Sequence, residues 1–461
     1  MTPSRDAAIA AAHRAFDDGT YTDVLARRVA IRSESQDPAQ APALRGYVED
    51  ELARSYAALG FECRILDNPL PQRGPFLFAQ RREPDARVTV LMYGHGDVIR
   101  GQDAQWRAGL SPWTLAREGD RIYGRGTADN KGQHTINEVA LRAVLEARGR
   151  LGFNLKVLIE TGEETGSPGL RDLCAQQRDL LAADVLIASD GPRLAPDRPT
   201  LFLGSRGAMN FDLTVDLREG AHHSGNWGGL IANPGIVLAH ALASITGPRG
   251  EIRVPEWRPA TLTSSVRRAL EGLDVVGGDD GPRVDTGWGE PGLTPAERVF
   301  GWCSFEVLAF RTGNPDHPVN AIPGKATAHC QLRYVVGVDP QDIVPALRRH
   351  LEREEFARVE VTPAREGYFA ATRLDPEHPW VQRVKASVAR TTGKPVVVLP
   401  NLGGSLPNDI FADVLGLPTV WIPHSYAGCS QHAANEHLIA SVAREALGVM
   451  AGLWWDLGEP R

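Results

Sequence analysis

Between residues 87 and 191 the chain alternates strand-like and helix-like patterns, and no other feature narrows its fold as much. RVTVLMYG (87–94) is apolar at its centre, as a strand buried on both faces must be. HTINEVALRAVLEARG (134–149) spaces its apolar residues three and four apart, the helical period. FNLKVLIETG (153–162) returns to a strand pattern, RDLCAQQRDLLA (171–182) to a helix and ADVLIASDG (183–191) to a strand. Strand, helix, strand, helix, strand predicts a mainly parallel sheet flanked by helices, an α/β fold. Residues 5–58 carry the helical period as well.

The character changes near residue 204. AMNFDLTVDLR (208–218) alternates like a half-exposed strand, and IANPGIVLAHALASI (231–245) is a helix opened by Asn-Pro. Residues 247–297 are Gly/Pro-rich, acidic and irregular. KATAHCQLRYVVG (325–337) and RVEVTPA (358–364) read as strands around the helix DIVPALRRHLERE (342–354). From about 370 the first character resumes: a helix at 378–393, strands in VVVLP and PTVWIP, and a closing helix in SVAREALGVMAGLWW. The expected organisation is one discontinuous α/β domain, 1–205 and 368–461, interrupted by a smaller α+β domain, 206–367, an open sheet with helices on one side. No internal repeat is evident.

With 461 residues, 42% hydrophobic and 23% charged, the chain has ample material for two or three domains. Its net charge of −7 and the lack of any Lys/Arg-rich run exclude a nucleic-acid partner. Cys63, Cys174, Cys303, Cys330 and Cys429 are widely separated, odd in number and without CxxC spacing. A disulfide framework or thiolate metal site is therefore not expected, and a reducing compartment is. The first residues carry charges within their apolar stretch, so they read as a helix and not a signal peptide. No run is long enough to span a bilayer. The expected location is the cytoplasm, with no membrane partner.

LIETGEETGSPG (158–169) sets two adjacent carboxylates, Glu163 and Glu164, after an apolar run. Side by side at the end of a buried strand they repel, and something cationic has to hold the charge. Strand ends of open α/β sheets are where such sites collect. YGHGDV offers His95 and Asp97, two residues apart and so on one side of an extended segment. A carboxylate there can orient the imidazole of a metal-bound His. IYGRGTADNKGQ offers Asp129, IASDG offers Asp190, and SQHAANEHL offers His432 and His437. Imidazoles and carboxylates without a Cys ligand suit two zinc-like or manganese-like divalent ions. GRGTADNKG is not a phosphate loop, since it lacks the four-residue gap before Gly-Lys and the following Ser/Thr.

GHGDV, YGRGTADNKG, ETGEETGSPG, ASDG, AHHSGNWGG and HAANEH, in this order, resemble the dinuclear zinc peptidase and deacylase family. That family includes carnosinase-like dipeptidases, carboxypeptidase G, aminoacylase, acetylornithine deacetylase and succinyl-diaminopimelate desuccinylase. The likeness runs from about residue 87 to 440, and AHHSGNWGG and GGSLPND are most similar to the carnosinase-like dipeptidase branch. It implies a catalytic domain interrupted by a lid and dimerisation domain, and a homodimer formed through the latter. It further implies that His95 and Asp190 bind one metal, Glu164 and His432 the other, and that Asp129 bridges them. Asp97 would support His95, and Glu163 would be the general base. Asn130 stands where the family often has Asp, and the peptide bond after the bridging Asp is typically cis. His223, next to His222, matches the His that reaches a partner subunit's site and polarises the scissile carbonyl. Asn320 and Arg333 are spaced as in members that clamp a substrate carboxylate, and Gly404 and Ser405 resemble the loop that closes on that end.

The expected activity is metal-dependent hydrolysis of an amide bond next to a free carboxylate, with two divalent ions per chain (zinc, or manganese or cobalt). The expected substrate is a small molecule, a dipeptide before an N-acyl or N-carbamoyl amino acid. A catalytically silent metal-binding scaffold would lack the base or a ligand, yet Glu163 and all five ligand positions are present.

Overall fold

The computed structural model describes residues 3–275, 283–364 and 369–459. Two helices open the chain, α1 (Arg5–Asp17) and α2 (Thr20–Ala30). Strands β1 (Glu62–Leu66), β2 (Phe76–Arg81) and β3 (Thr89–His95) follow, then helix α3 (Lys131–Arg148) and strand β4 (Asn154–Glu160). Gly149 ends α3 in the left-handed conformation that glycine adopts freely (φ 77°). β5 (Val185–Ala188) and β6 (Thr200–Phe202) complete this stretch.

The next stretch contributes β7 (Gly207–Asp216), helix α4 (Pro234–Ile245), β8 (Ser304–Thr312), β9 (Lys325–Tyr334), helix α5 (Ile343–Arg353) and β10 (Glu360–Pro363). Asn233 caps α4 by accepting from the Gly235 amide, and Pro234 fits its first turn. Helix α6 (Pro379–Thr392), strands β11 (Val397–Leu399) and β12 (Thr419–Trp421) and helix α7 (Ala440–Leu457) close the chain.

β1–β6, β11 and β12 form one eight-stranded sheet in the order β1-β2-β4-β3-β5-β12-β6-β11. Its centre, β4-β3-β5-β12, is parallel as expected. Its flanks make it mixed, because β1 with β2, β2 with β4, and β12 with β6 are antiparallel. Both faces are covered. Val90 and Met92 of β3 point into a core shared with α1, α3 and α7, while Leu91 and Tyr93 pack on the opposite side with Leu158, Leu186 and Trp421. That double burial is why β3 has no polar alternation, and each fully buried large apolar side chain contributes about 1.5–3 kcal/mol.

A separate four-stranded antiparallel sheet, β8-β9-β7-β10, is built wholly from residues between β6 and β11. Alternate residues of β7 (Met209, Phe211, Leu213, Val215) and β9 (Ala326, Ala328, Cys330, Leu332) face a core completed by α4 and α5. The sequence pattern anticipates β7, β9 and β10 but not β8. Its apolar Val307, Leu308 and Phe310 point outward from a sheet edge, so no inward alternation marks it. The stretch 247–297 is not wholly irregular: Ser264–Leu270 and Pro295–Phe300 are short helices, the second opened by a Thr294–Glu297 capping box. Residues 276–282 of it lie outside the described residues.

Candidate functional site

The parallel strands β3, β4 and β5 bring their C-terminal ends to one edge of the large sheet. His95 is the last residue of β3. β4 ends at Glu160, and the turn Glu163–Thr165 follows. Asp190 lies two residues past β5, Asp129 two residues before α3, and His432 in the loop that leads to α7.

These residues meet in two groups that share one acid: His95, Asp129 and Asp190, and Asp129, Glu164 and His432, with the donor atoms of each group within 4.8 Å of one another. His95 Nε2 is 2.9 Å from Asp129 Oδ1 and 3.5 Å from Asp190 Oδ2. His432 Nε2 is 3.2 Å from Asp129 Oδ2 and 3.0 Å from Glu164 Oε2. Asp129 thus offers one oxygen to each group. His437 stays out of the cluster, buried with its ring 5.2 Å from that of Tyr123.

The supports of these groups differ in one respect from expectation. His95 Nδ1 donates to the backbone oxygen of Asp97 at 3.0 Å, which leaves Nε2 free to act as a ligand. The Asp97 carboxylate is farther, 3.5 Å from Nδ1, and accepts the amides of Glu163 and Glu164, each at 3.1 Å. It holds the turn more directly than it holds the imidazole. Behind Asp129, the buried Glu436 accepts the amides of Gly126, Ala128 and Asp129 and pairs with Arg125 at 2.7 Å. The sequence reading missed Glu436, although it sits inside the HAANEH motif. The Asp129–Asn130 peptide is cis, and Asn130 Nδ2 donates to Ser189 O at 2.8 Å, tying this loop to β5.

Charge is crowded here. Burial, with Glu164, Asp190 and Asp129 nearby, pushes Glu163 well above the usual carboxylate range, against the opposing field of His95. Burial and Asp129 push Glu164 up to about 7, and the same two causes raise Asp190. Hydrogen bonds with Asp129 and Glu164 push His432 up to about 11. His95 is raised too: burial alone would lower it, but Asp129, Asp190 and Asp97 outweigh that cost. Such a site asks for cations, and among the described residues the imidazoles of His95 and His432 are what pairs with these carboxylates. An all-nitrogen-and-oxygen donor set in two groups with a shared carboxylate fits two divalent ions.

Arg333, on β9, donates from Nη1 to Ser405 Oγ at 2.9 Å, and Ser405 Oγ donates to Arg206 O at 2.8 Å. Gly404 is exposed beside them. The expected pairing of Arg333 with Asn320 is not met within one chain. Asn320 precedes Ala321–Ile322, which pairs with His222–His223, and its backbone oxygen accepts the Ser224 amide at 2.9 Å. It lies beyond the opposite end of β9, and eight residues of extended strand span about 26 Å. Asn320 therefore joins His223, not Arg333. His223 is exposed and its Nδ1 accepts the Gly225 amide at 3.1 Å, while His222 lies half-buried near Trp227.

A mixed α/β sheet whose parallel strand ends gather two carboxylate–imidazole groups around one shared Asp defines a dinuclear metallohydrolase class of site. Residues 91–456 match the peptidase family M20/M25/M40, and the chain belongs to it. It is 28% identical over 333 residues to the cysteinylglycine-S-conjugate dipeptidase of Corynebacterium striatum, covering 69% of this chain and 70% of that one. Against the Beta-Ala-His dipeptidase of Rattus norvegicus the identity is 26% over 458 residues, 91% of this chain and 89% of the relative. The fold is shared with the di-peptidase Dug1p from Saccharomyces cerevisiae, with a TM-score of 0.78 at 20% identity over 100% of each chain, and with human carnosine dipeptidase 1, with a TM-score of 0.76 at 21% identity over 98% of each chain. Among the described residues no helix is long and apolar enough to cross a membrane.

Proposed function

We propose that this protein is a metal-dependent dipeptidase that cleaves the amide bond next to a free carboxylate. The observation that carries the reading is Asp129, which offers one oxygen to each of two imidazole–carboxylate groups, with Glu163 beside both. His95 and Asp190 would hold one divalent ion, Glu164 and His432 the other, and Asp129 both; zinc suits this set best. When bound, the two ions supply Lewis acidity and make water acidic enough to react near neutral pH. Glu163 takes a proton from the attacking water on a carboxylate oxygen and passes it to the leaving amine nitrogen. Asp97 keeps the Glu163 turn in place through the two amides it accepts. Arg333 and Ser405 would hold the substrate carboxylate, with the Gly404 loop closing over it.

The assembly belongs to the same proposal. Residues 206–367 would act as lid and dimerisation domain, and 1–205 with 368–461 as the catalytic domain. Edge strand β8 exposes Val307, Leu308 and Phe310, and Trp227, Leu230, Ile236 and Val319 are exposed on the same stretch of chain. An open edge and bare apolar side chains of this kind call for a cover, and a second copy of the chain supplies one. In such a homodimer His223 and Asn320 would serve the partner's site, with His223 donating to the developing oxyanion. The five cysteines are free, which suits a cytoplasmic location.

The test is a panel of dipeptides, N-acyl and N-carbamoyl amino acids on protein stripped with chelator and reloaded with zinc, manganese or cobalt. The reading expects dipeptide hydrolysis that disappears on stripping and returns on reloading. Turnover of the acylated compounds alone would make the protein a deacylase, and full activity in protein free of metal by elemental analysis would refute the reading.

A further inference from the structure

The turn that presents Glu163 and Glu164 is held on two sides. Asp97 holds one, through the amides of both glutamates. On the other, the chain returns through Ser167, whose amide donates to Gly162 O at 3.0 Å. Ser167 has a φ of 51°, in the left-handed region that few residues other than glycine adopt. Its hydroxyl donates to Glu160 Oε1 at 2.9 Å, and the same oxygen accepts the Tyr93 hydroxyl at 2.6 Å. Glu160 is also bonded through its backbone, accepting the Gly96 amide between His95 and Asp97 at 2.8 Å.

The functional reading above uses none of these three side chains, and all three are buried: Tyr93 fully, Glu160 1% and Ser167 4% exposed. Glu160 Oε2 has no hydrogen-bond partner among the described residues. A carboxyl in such surroundings costs free energy that an apolar residue would not. What it supplies in return is an acceptor at the junction of β4 and the turn, where a strand residue and a turn residue can be tied together. The Tyr93 ring, 4.8 Å from Phe411 and 5.8 Å from Trp421, fixes the far end of this chain of contacts in the core.

We propose that Glu160, acting through the Ser167 hydroxyl, is a positioning residue that fixes the turn carrying Glu163 and Glu164. The proposal rests on the reading of Glu163 as base and Glu164 as metal ligand. It assigns Glu160 no contact with substrate, and it requires an acceptor oxygen at that position rather than a charge.

The test uses the full chain loaded with metal, with metal-binding isotherms recorded beside steady-state kinetics. Ser167→Ala should lower kcat about 10–100-fold with KM within about twofold, and weaken one of the two metal-binding steps about 10–100-fold, the scale for groups behind a ligand. Glu160→Gln keeps the acceptor oxygen and should stay within about threefold of wild type in both measurements, whereas Glu160→Leu should match Ser167→Ala or exceed it. A purely structural role would lower the melting temperature and leave kcat and the isotherm of the folded protein unchanged. Ser167→Ala with wild-type kcat and isotherm would overturn the proposal, and so would Glu160→Gln as impaired as Glu160→Leu. If Glu160→Leu does not fold, Ser167→Ala decides alone. The wild-type control separates the two levels: a wild type that binds no metal or cleaves no dipeptide removes the functional reading and this proposal with it, while a normal wild type with unaffected variants removes only the proposal.

Discussion

The Glu436 carboxylate accepts the backbone amide of Asp129 at 3.1 Å, so a buried acid holds from behind the residue shared by both candidate metal groups. The same carboxylate satisfies two more amides and pairs with the buried Arg125. Glu436→Ala would strand that guanidinium and three amides, and breaking a buried pair costs about 3–5 kcal/mol. Glu436→Gln keeps an acceptor and should cost less. Urea unfolding measures the first effect, and metal content after dialysis should fall in step with it. An alanine variant as stable and as metal-rich as wild type would show that Asp129 needs no such support.

The neighbouring glutamates should separate by substitution. Glu163→Gln should keep both ions and bind substrate, yet lose about 10²–10⁴-fold in kcat, the scale for a general base. Glu164→Gln should lower metal occupancy first and activity as a consequence. Elemental analysis beside kinetics distinguishes them, and the opposite pattern would exchange their roles.

Sequence legibility followed chemistry more than shape. His95, Glu163, Glu164 and Asp190 stand in short motifs at or just past the ends of the parallel strands, and Asp129 and His432 in motif-bearing loops that meet them there. Glu436 was illegible because its work is to accept amides from a loop, and which loop depends on the fold of residues 124–129. Asn320 and Arg333 are thirteen positions apart in sequence, but β9 runs between them, and spacing alone does not show that a strand separates two residues instead of joining them. β8 escaped for a related reason: an edge strand with apolar residues outward lacks the pattern that one-sided burial imprints.

Stability should depend on pH through Glu160. Burial, then the charge of Asp97, pushes its carboxyl up to about 7 from a usual 4.5. Between those values the folded chain keeps a proton that the unfolded chain has lost. The contribution of Glu160 is therefore fully present below about pH 4.5 and is lost as pH rises through about 7. At 1.36 kcal/mol per pKa unit the loss is about 3 kcal/mol. Glu160→Gln does not titrate, so in metal-free protein its stability relative to wild type should rise by about that amount from pH 4.5 to 8. A difference that stays flat with pH would mean that Glu160 ionises as freely in the folded chain as in the unfolded one.

Mixed dimers test whether His223 works in the partner's site. Glu163→Ala and His223→Ala homodimers should each be nearly inactive. A dimer of one chain of each kind contains one site with both groups intact, so subunit exchange should restore up to half the activity per dimer. Exchange proven by mass but without any recovery would place His223 outside catalysis between subunits.

Arg333 should reveal what the site recognises. Its guanidinium bonds to Gln331 and Ser405, each at 2.9 Å, and to no acid among the described residues. Burial lowers its pKa from the usual arginine value, so a bound carboxylate would be a favourable partner. Guanidinium can grip a carboxylate with two parallel hydrogen bonds, a geometry the lysine ammonium cannot copy. Arg333→Lys should then reduce kcat/KM by about 1.5–3 kcal/mol on a free-acid dipeptide, the range for hydrogen bonds to charged groups. On the amidated form of the same dipeptide, already a poor substrate, the substitution should cost little more. The coupling between mutation and amidation is the quantity to measure. If both forms lose equally, the carboxylate is not what Arg333 holds, and its bond to Ser405 serves only to shape the loop.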